Sequence, residues 1–155
     1  MTTRTRSEAR KGSINLSPLK SIRDSRIVGE LDSADFIELP AFQRHREDYL
    51  NDEAFRVFQQ ELLKNPATGD VIEGTGGLRK VRVLDKGRGK GKRSGIRVIY
   101  FWAQSLSQFW LFTLYDKDEL SDLSGEQKKA LKKLLAEALK RVGLEKAETT
   151  GGKNA

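Results

Sequence analysis

Two segments of this chain, Ile96–Trp102 and Phe109–Tyr115, carry apolar residues on both faces of the strands they predict. A strand of that kind belongs in the middle of a sheet, because an edge or half-solvated strand alternates instead. The connection between them, AQSLSQ, is short enough for a hairpin, so the pair is antiparallel. The exception is Arg97, a cation near the start of the first strand, on the face of Ile99 and Phe101. Whatever else the chain does, it builds a layer around these two strands.

The rest of the order follows from periodicity. Asp35–Leu39 reads as a short strand, and Pro40 suits the first turn of a helix on which Phe42, His45 and Tyr49 share a face. Asn51 can cap a second helix, with Asp52 and Glu53 at its positive end and Phe55, Phe58 and Leu62 as a core stripe. Asn65-Pro66 ends it. A Gly-punctuated stretch with Gly76-Gly77 as a turn leads into a strand over Leu78–Leu84. There Arg79, Val81 and Val83 share one face and Lys80 and Arg82 the other. A last helix opens on the capping-box pair Ser124 and Gln127, runs along Leu131, Leu134, Leu135, Ala138, Leu139 and Val142, and closes at Gly143. These elements predict an α+β fold. Its small, mostly antiparallel sheet carries two N-terminal helices and one C-terminal helix, expected on one face.

Charge is distributed unevenly over this frame. Between Arg79 and Arg97 stand nine Lys/Arg residues against one acid, Asp85, while the whole chain has a net charge of +7. Everything outside the stretch is therefore close to neutral. Such a cluster calls for a polyanion, and a nucleic acid is the expected one. The chain has no cysteine, which excludes disulfides, thiolate metal sites and cysteine nucleophiles. Its one histidine, His45, belongs to an amphipathic or partly exposed helix position, so no histidine-based zinc site is available. No cofactor or metal is expected. No apolar run approaches the roughly 20 residues of a membrane span, so no membrane partner is expected either.

The basic stretch has two parts. The loop residues Lys86, Arg88, Lys90, Lys92 and Arg93 alternate with glycines and suit a flexible grip on phosphates, with Arg79 adding to it. The run GRGKGK lacks the spacing of a phosphate-cradling P-loop. Lys80, Arg82 and Arg97, by contrast, project from strands, which hold a side chain more accurately than a loop. Arg97 can take a phosphate bidentately and stabilise charge on a pentavalent phosphorus. Since RNA brings its own nucleophile, the 2′-hydroxyl, the protein has only to align it and manage two protons. Arginine is a poor proton carrier, which leaves Lys80 or Lys117 for that role. Tyr100 and Tyr115 are possible helpers that core packing also explains.

At these residues the chain resembles the RelE superfamily of bacterial toxins, and most closely its HigB-type branch. The resemblance runs through YLNDEAFRVFQQELLKNPATGDVIEGTGGLRKVRV, the basic loop, GIRVIYFW, LFTLYDKDELSDLS and the last helix. It implies a RelE-like fold and a cytoplasmic, ribosome-dependent mRNA endonuclease that cuts the A-site codon. It also implies a cognate antitoxin of the helix-turn-helix type. The catalytic role passes by motif position to Lys80, Arg82, Arg97 and Lys117, and the ribosome-binding role to the loop cations. A tyrosine that RelE-type members carry a few residues after the YDKDE segment is missing here, where the chain reads ELSDLS.

Residues 1–33 lie outside the resemblance and are expected to form a disordered basic extension, with a toxin-like domain over 34–143 and a flexible tail over 144–155. A basic RNA-binding arm, a transit peptide and an overlong translation start are the three readings of that extension. Two other function classes stay open. A ParE-like poison of DNA gyrase needs no strand-borne cations. A non-catalytic RNA-binding module needs no proton carrier.

Overall fold

The computed structural model describes residues 23–27, 34–84 and 93–144, with side chains over 34–84 and 95–144. Most of the expected N-terminal extension, the loop cations Lys86, Arg88, Lys90 and Lys92, and the tail from 145 onward lie outside the described residues. The strands are β1 (Arg23–Ile27), β2 (Ala34–Glu38), β3 (Asp70–Val71), β4 (Arg79–Leu84), β5 (Arg93–Ala103) and β6 (Gln108–Asp116). The helices are α1 (Pro40–Tyr49) and α2 (Asp52–Lys64) between β2 and β3, and α3 (Gly125–Arg141) at the end. The strands form one sheet in the order β1-β2-β6-β5-β4-β3. β2 runs parallel to β6 and every other neighbouring pair is antiparallel, as a mostly antiparallel α+β fold requires.

β5 and β6 stand in the middle of the sheet, where their two apolar faces put them. The helices, however, are not all on one face. Phe42 of α1 and Phe55, Phe58, Leu62 and Leu63 of α2 pack with Val81, Val83, Val98, Tyr100, Phe109 and Leu111. Leu131, Leu135, Ala138 and Leu139 of α3 pack with Leu78, Ile99, Trp110 and Phe112, the residues that alternate with the first set. The physical reason is the strands themselves. Residues such as Ile99 and Phe112, both essentially inaccessible to solvent, need a second layer, and burying a side chain of that size contributes about 1.5–3 kcal/mol. A second difference lies at the N-terminal edge, where Arg23–Ile27, inside the expected extension, pairs antiparallel with β2 from Arg23↔Glu38 to Ile27↔Ala34.

The helix ends follow the sequence signals. Pro40 opens α1, and the Asn51 side chain accepts from the Ala54 N–H at 2.8 Å at the start of α2. Ser124 and Gln127 complete the reciprocal capping box of α3, at 3.1 and 2.8 Å. At its other end Gly143 takes φ +77°. The Leu144 N–H then reaches the Leu139 carbonyl at 2.8 Å and the Gly143 N–H the Lys140 carbonyl at 3.1 Å, which is a Schellman closure. Gly76 and Gly77, at φ +86° and +124°, make the turn before β4.

Tyr100 fixes the segment between α2 and β3. Its hydroxyl donates to the Pro66 carbonyl at 2.7 Å and accepts from the buried Gly69 N–H at 3.1 Å. Gly69 has no room for more, since a Cβ there would lie 3.0 Å from the Lys80 carbonyl oxygen and the Tyr100 ring. Tyr100→Phe strands the Gly69 N–H, so we expect a loss of about 1–3 kcal/mol in unfolding free energy. Urea denaturation should show a lower midpoint at unchanged m-value; an unchanged midpoint would mean that this bond is replaceable.

Candidate nucleic-acid interface

Because Val81 and Val83 face the α1–α2 core, the pleat forces Lys80 and Arg82 onto the opposite face of β4. The register then gathers the cations. Arg82 pairs with Arg97 directly across β4 and β5, and Lys80 pairs with Ile99. On the outer side Lys80 also pairs with Asp70 of β3. Directly opposed side chains have their Cβ atoms about 4.5–5.5 Å apart, and like charges in that position are destabilising. An anion placed between two such arginines removes that cost. Thr68, Asp70, Lys80, Val81, Arg82 and Arg97 line a cleft of about 430 Å³ at this place.

The surroundings fix the cations to different degrees. The Arg97 guanidinium donates to the Gly95 carbonyl at 3.1 Å. The same carbonyl accepts from the Lys117 N–H at 2.9 Å, which ties the turn after β6 to the start of the Arg97 strand. Lys117 thus stands at the cationic end of the sheet, exposed, but is not one of the residues lining the cleft. That turn is held from the other side by the Tyr49 hydroxyl, which donates to Glu119 Oε1 at 3.1 Å. Lys80 Nζ lies 3.5 Å from Asp122 Oδ1, with the lysine side chain 32% and the aspartate 69% exposed. The Asp122 carboxyl is held below its ordinary range, first by the Leu123 N–H and then by the Lys80 charge.

Lys80, Arg82 and Arg97 are therefore brought together as their strand positions predict. Arg79 is not with them. It shares the face of Tyr100, and its guanidinium donates to the Gly69 carbonyl at 2.7 Å, bracing the 66–69 segment that supports the cleft wall. Of the loop cations, Arg93 is seen as backbone only, paired with Leu84. His45 is buried, not partly exposed, with Nδ1 3.3 Å from Asp48 Oδ2 on its own helix.

Sequence reasoning missed Asp122 and Asp70; Tyr115, read as a possible helper that core packing also explains, is buried in the core on the α3 side. In the sheet Tyr115 pairs with Arg97, on the cationic face. Its hydroxyl is pushed up to about 12 by burial, assisted by the Asp122 charge and opposed by Arg97. The signal for Tyr115 was hidden by a bulge in β6, and that for Asp122 lay in a turn with no periodicity to read. No family model matches the chain.

Tyr115 gives the fold a defined weakness to alkali. With a folded pKa of about 12 against 10 unfolded, the folded chain keeps a proton that the unfolded chain releases. The stability from the neutral hydroxyl is complete below the unfolded value and is lost as pH rises through the folded one. The Tyr100 hydroxyl shifts in the same direction, again chiefly by burial. For Tyr115 alone we expect a decline of up to about 3 kcal/mol across that window. Chemical denaturation from neutral to strongly alkaline pH should show a shallower fall for Tyr115→Phe than for wild type; parallel curves would exclude this origin.

Proposed function

We propose that this protein is a toxin of the RelE superfamily, of the HigB-type branch, acting as a ribosome-dependent mRNA endonuclease. The observation that carries it is the pairing of Arg82 with Arg97, with Lys80 on the same face, in a cleft walled by Thr68 and Asp70. Three cations on neighbouring strands form a rigid receptor for a phosphodiester. A loose electrostatic patch needs none of this register.

In the proposed reaction the 2′-oxygen bonds to the adjacent phosphorus and the bond from phosphorus to the 5′-oxygen breaks. Lys80 and Arg82 bind the scissile phosphate and hold it in line. Arg97 stabilises the charge of the phosphorane, where a fixed cation is worth most. The proton lost by the 2′-hydroxyl passes to solvent, and Lys117, on its long stem at the same end of the sheet, protonates the 5′-oxygen. The basic loop Lys86–Arg93 grips ribosomal RNA. The proposal places the protein in the cytoplasm, with a helix-turn-helix antitoxin as its partner.

The test is primer extension on a defined mRNA with translating ribosomes, with free mRNA, and with Arg97→Ala. Wild type should cut inside A-site codons only when ribosomes are present. Arg97→Ala should lose about 10²–10³-fold in rate while ribosome binding survives. Charge reversal in the loop should do the opposite, weakening binding and flattening its log–log salt slope by about 0.7–0.9 per lost phosphate contact. RNA binding without any cut by folded protein would replace the enzyme by a non-catalytic binder.

A further inference from the structure

A carboxylate beside three phosphate-binding cations is, on charge counting alone, a defect. Asp122 is nevertheless well anchored. Its Oδ1 accepts from the Leu123 N–H at 2.8 Å, Leu123 is buried in the α3 core, and the next residue, Ser124, is the N-cap of α3. The same oxygen stands 3.5 Å from Lys80 Nζ. An ion pair this exposed adds little to stability, so the fold does not need it. What it does supply is order. A lysine side chain has many rotamers to lose, and Lys80 reaches the cleft from a strand whose outer neighbour, Asp70, is a second carboxylate.

We infer that Asp122 is a positioning residue, whose carboxylate, set by the capped start of α3, holds the Lys80 ammonium in place for the scissile phosphate. This role rests on the endonuclease reading. The groups that act on Asp122 are the Leu123 N–H, Lys80 and Lys128 of the first turn of α3. Asp122 in turn acts on the Tyr115 hydroxyl through its charge. The Leu123 N–H and the Lys80 charge hold the Asp122 carboxyl below its ordinary range, which favours its charged form beside the Lys80 ammonium.

The two accounts of Asp122 differ in sign. Asp122→Asn keeps the shape and the acceptor for Leu123 N–H and removes only the charge. If the carboxylate merely subtracts from the cationic field, the variant binds ribosomes more tightly and cuts at least as fast. If it positions Lys80, single-turnover cleavage at saturating ribosome falls on the order of tenfold to a hundredfold, with affinity unchanged or tighter and an unchanged melting temperature. NMR of the Lys80 side chain supplies a readout independent of activity. Its order parameter should fall in Asp122→Asn.

A rate equal to or above wild type overturns the inference alone, as does a slower rate with Lys80 as ordered as before, which would mean that Asp122 acts by another route. A wild-type protein that binds ribosomes and cuts nothing overturns the endonuclease reading, and this role with it.

Discussion

The neighbour that Arg97 meets across the central hairpin depends on one extra residue in β6. From Ala103↔Gln108 to Tyr100↔Leu111 the β5–β6 hairpin keeps one register, and from Ile99↔Thr113 to Ile96↔Asp116 it keeps another, shifted by one residue. Phe112 is the residue gained, and its side chain goes into the α3 core. A one-residue shift moves every following side chain to the other face. Leu114 therefore turns into the α1–α2 core and Tyr115 onto the α3 face, opposite Arg97. In an unbulged strand Tyr115 would point among the aromatics of α1 and α2, and Arg97 would face a leucine.

The two layers that cover the sheet are unequal, and the inequality makes the cleft. On one face α1 and α2 meet an apolar surface that extends over β4, β5 and β6, from Val83 and Ile96 to Phe109. On the other face α3 meets Leu78, Ile99, Ala103, Trp110 and Phe112. Beyond Ile99 and Lys80 that face continues as Arg82 and Arg97, which a helix with a leucine stripe cannot cover without desolvating two guanidinium groups. The helix stops short, and its N-terminal approach through Asp122 and Leu123 becomes the border of the site. Packing chemistry alone thus leaves open the strand positions that carry charge.

Much of this was legible. Alternation in β4 sorted Lys80 and Arg82 from Val81 and Val83 because a strand has one period and one core. The capping box, the Asn51 cap and the Gly143 closure involve residues within a turn of each other, so they can be read without knowing the fold. What could not be read is non-local. Which side of the sheet Tyr115 takes was hidden, because the bulge at Phe112 leaves no mark in a run of aromatic and leucine residues. The assignment of all helices to one face failed because apolar residues on both faces of β5 and β6 show centrality but not which helix covers which side. Arg79 looked like another phosphate ligand, and only the three-dimensional path of the 66–69 segment shows its guanidinium committed to the Gly69 carbonyl.

Under the proposed endonuclease reading, a site without histidine has to divide acid–base work from electrostatic work in another way. Arg82 and Arg97 offer the cleft charge and hydrogen-bond donors and are poor proton shuttles. Tyr115, buried to 3% exposure and pushed up to about 12, can donate a hydrogen bond but cannot take a proton near neutrality. The Asp122 carboxyl is held below its ordinary range by the Leu123 N–H and the Lys80 charge. What these neighbours offer the cleft is charge and hydrogen bonding. In-line attack by a 2′-hydroxyl tolerates such a field because a solvated intermediate geometry can exchange its protons with water while the phosphorus stays clamped. Under the proposed endonuclease reading, precision of placement then replaces proton affinity as the quantity the protein controls. On that reading the register of β4, β5 and β6 is more consequential than the identity of any single base.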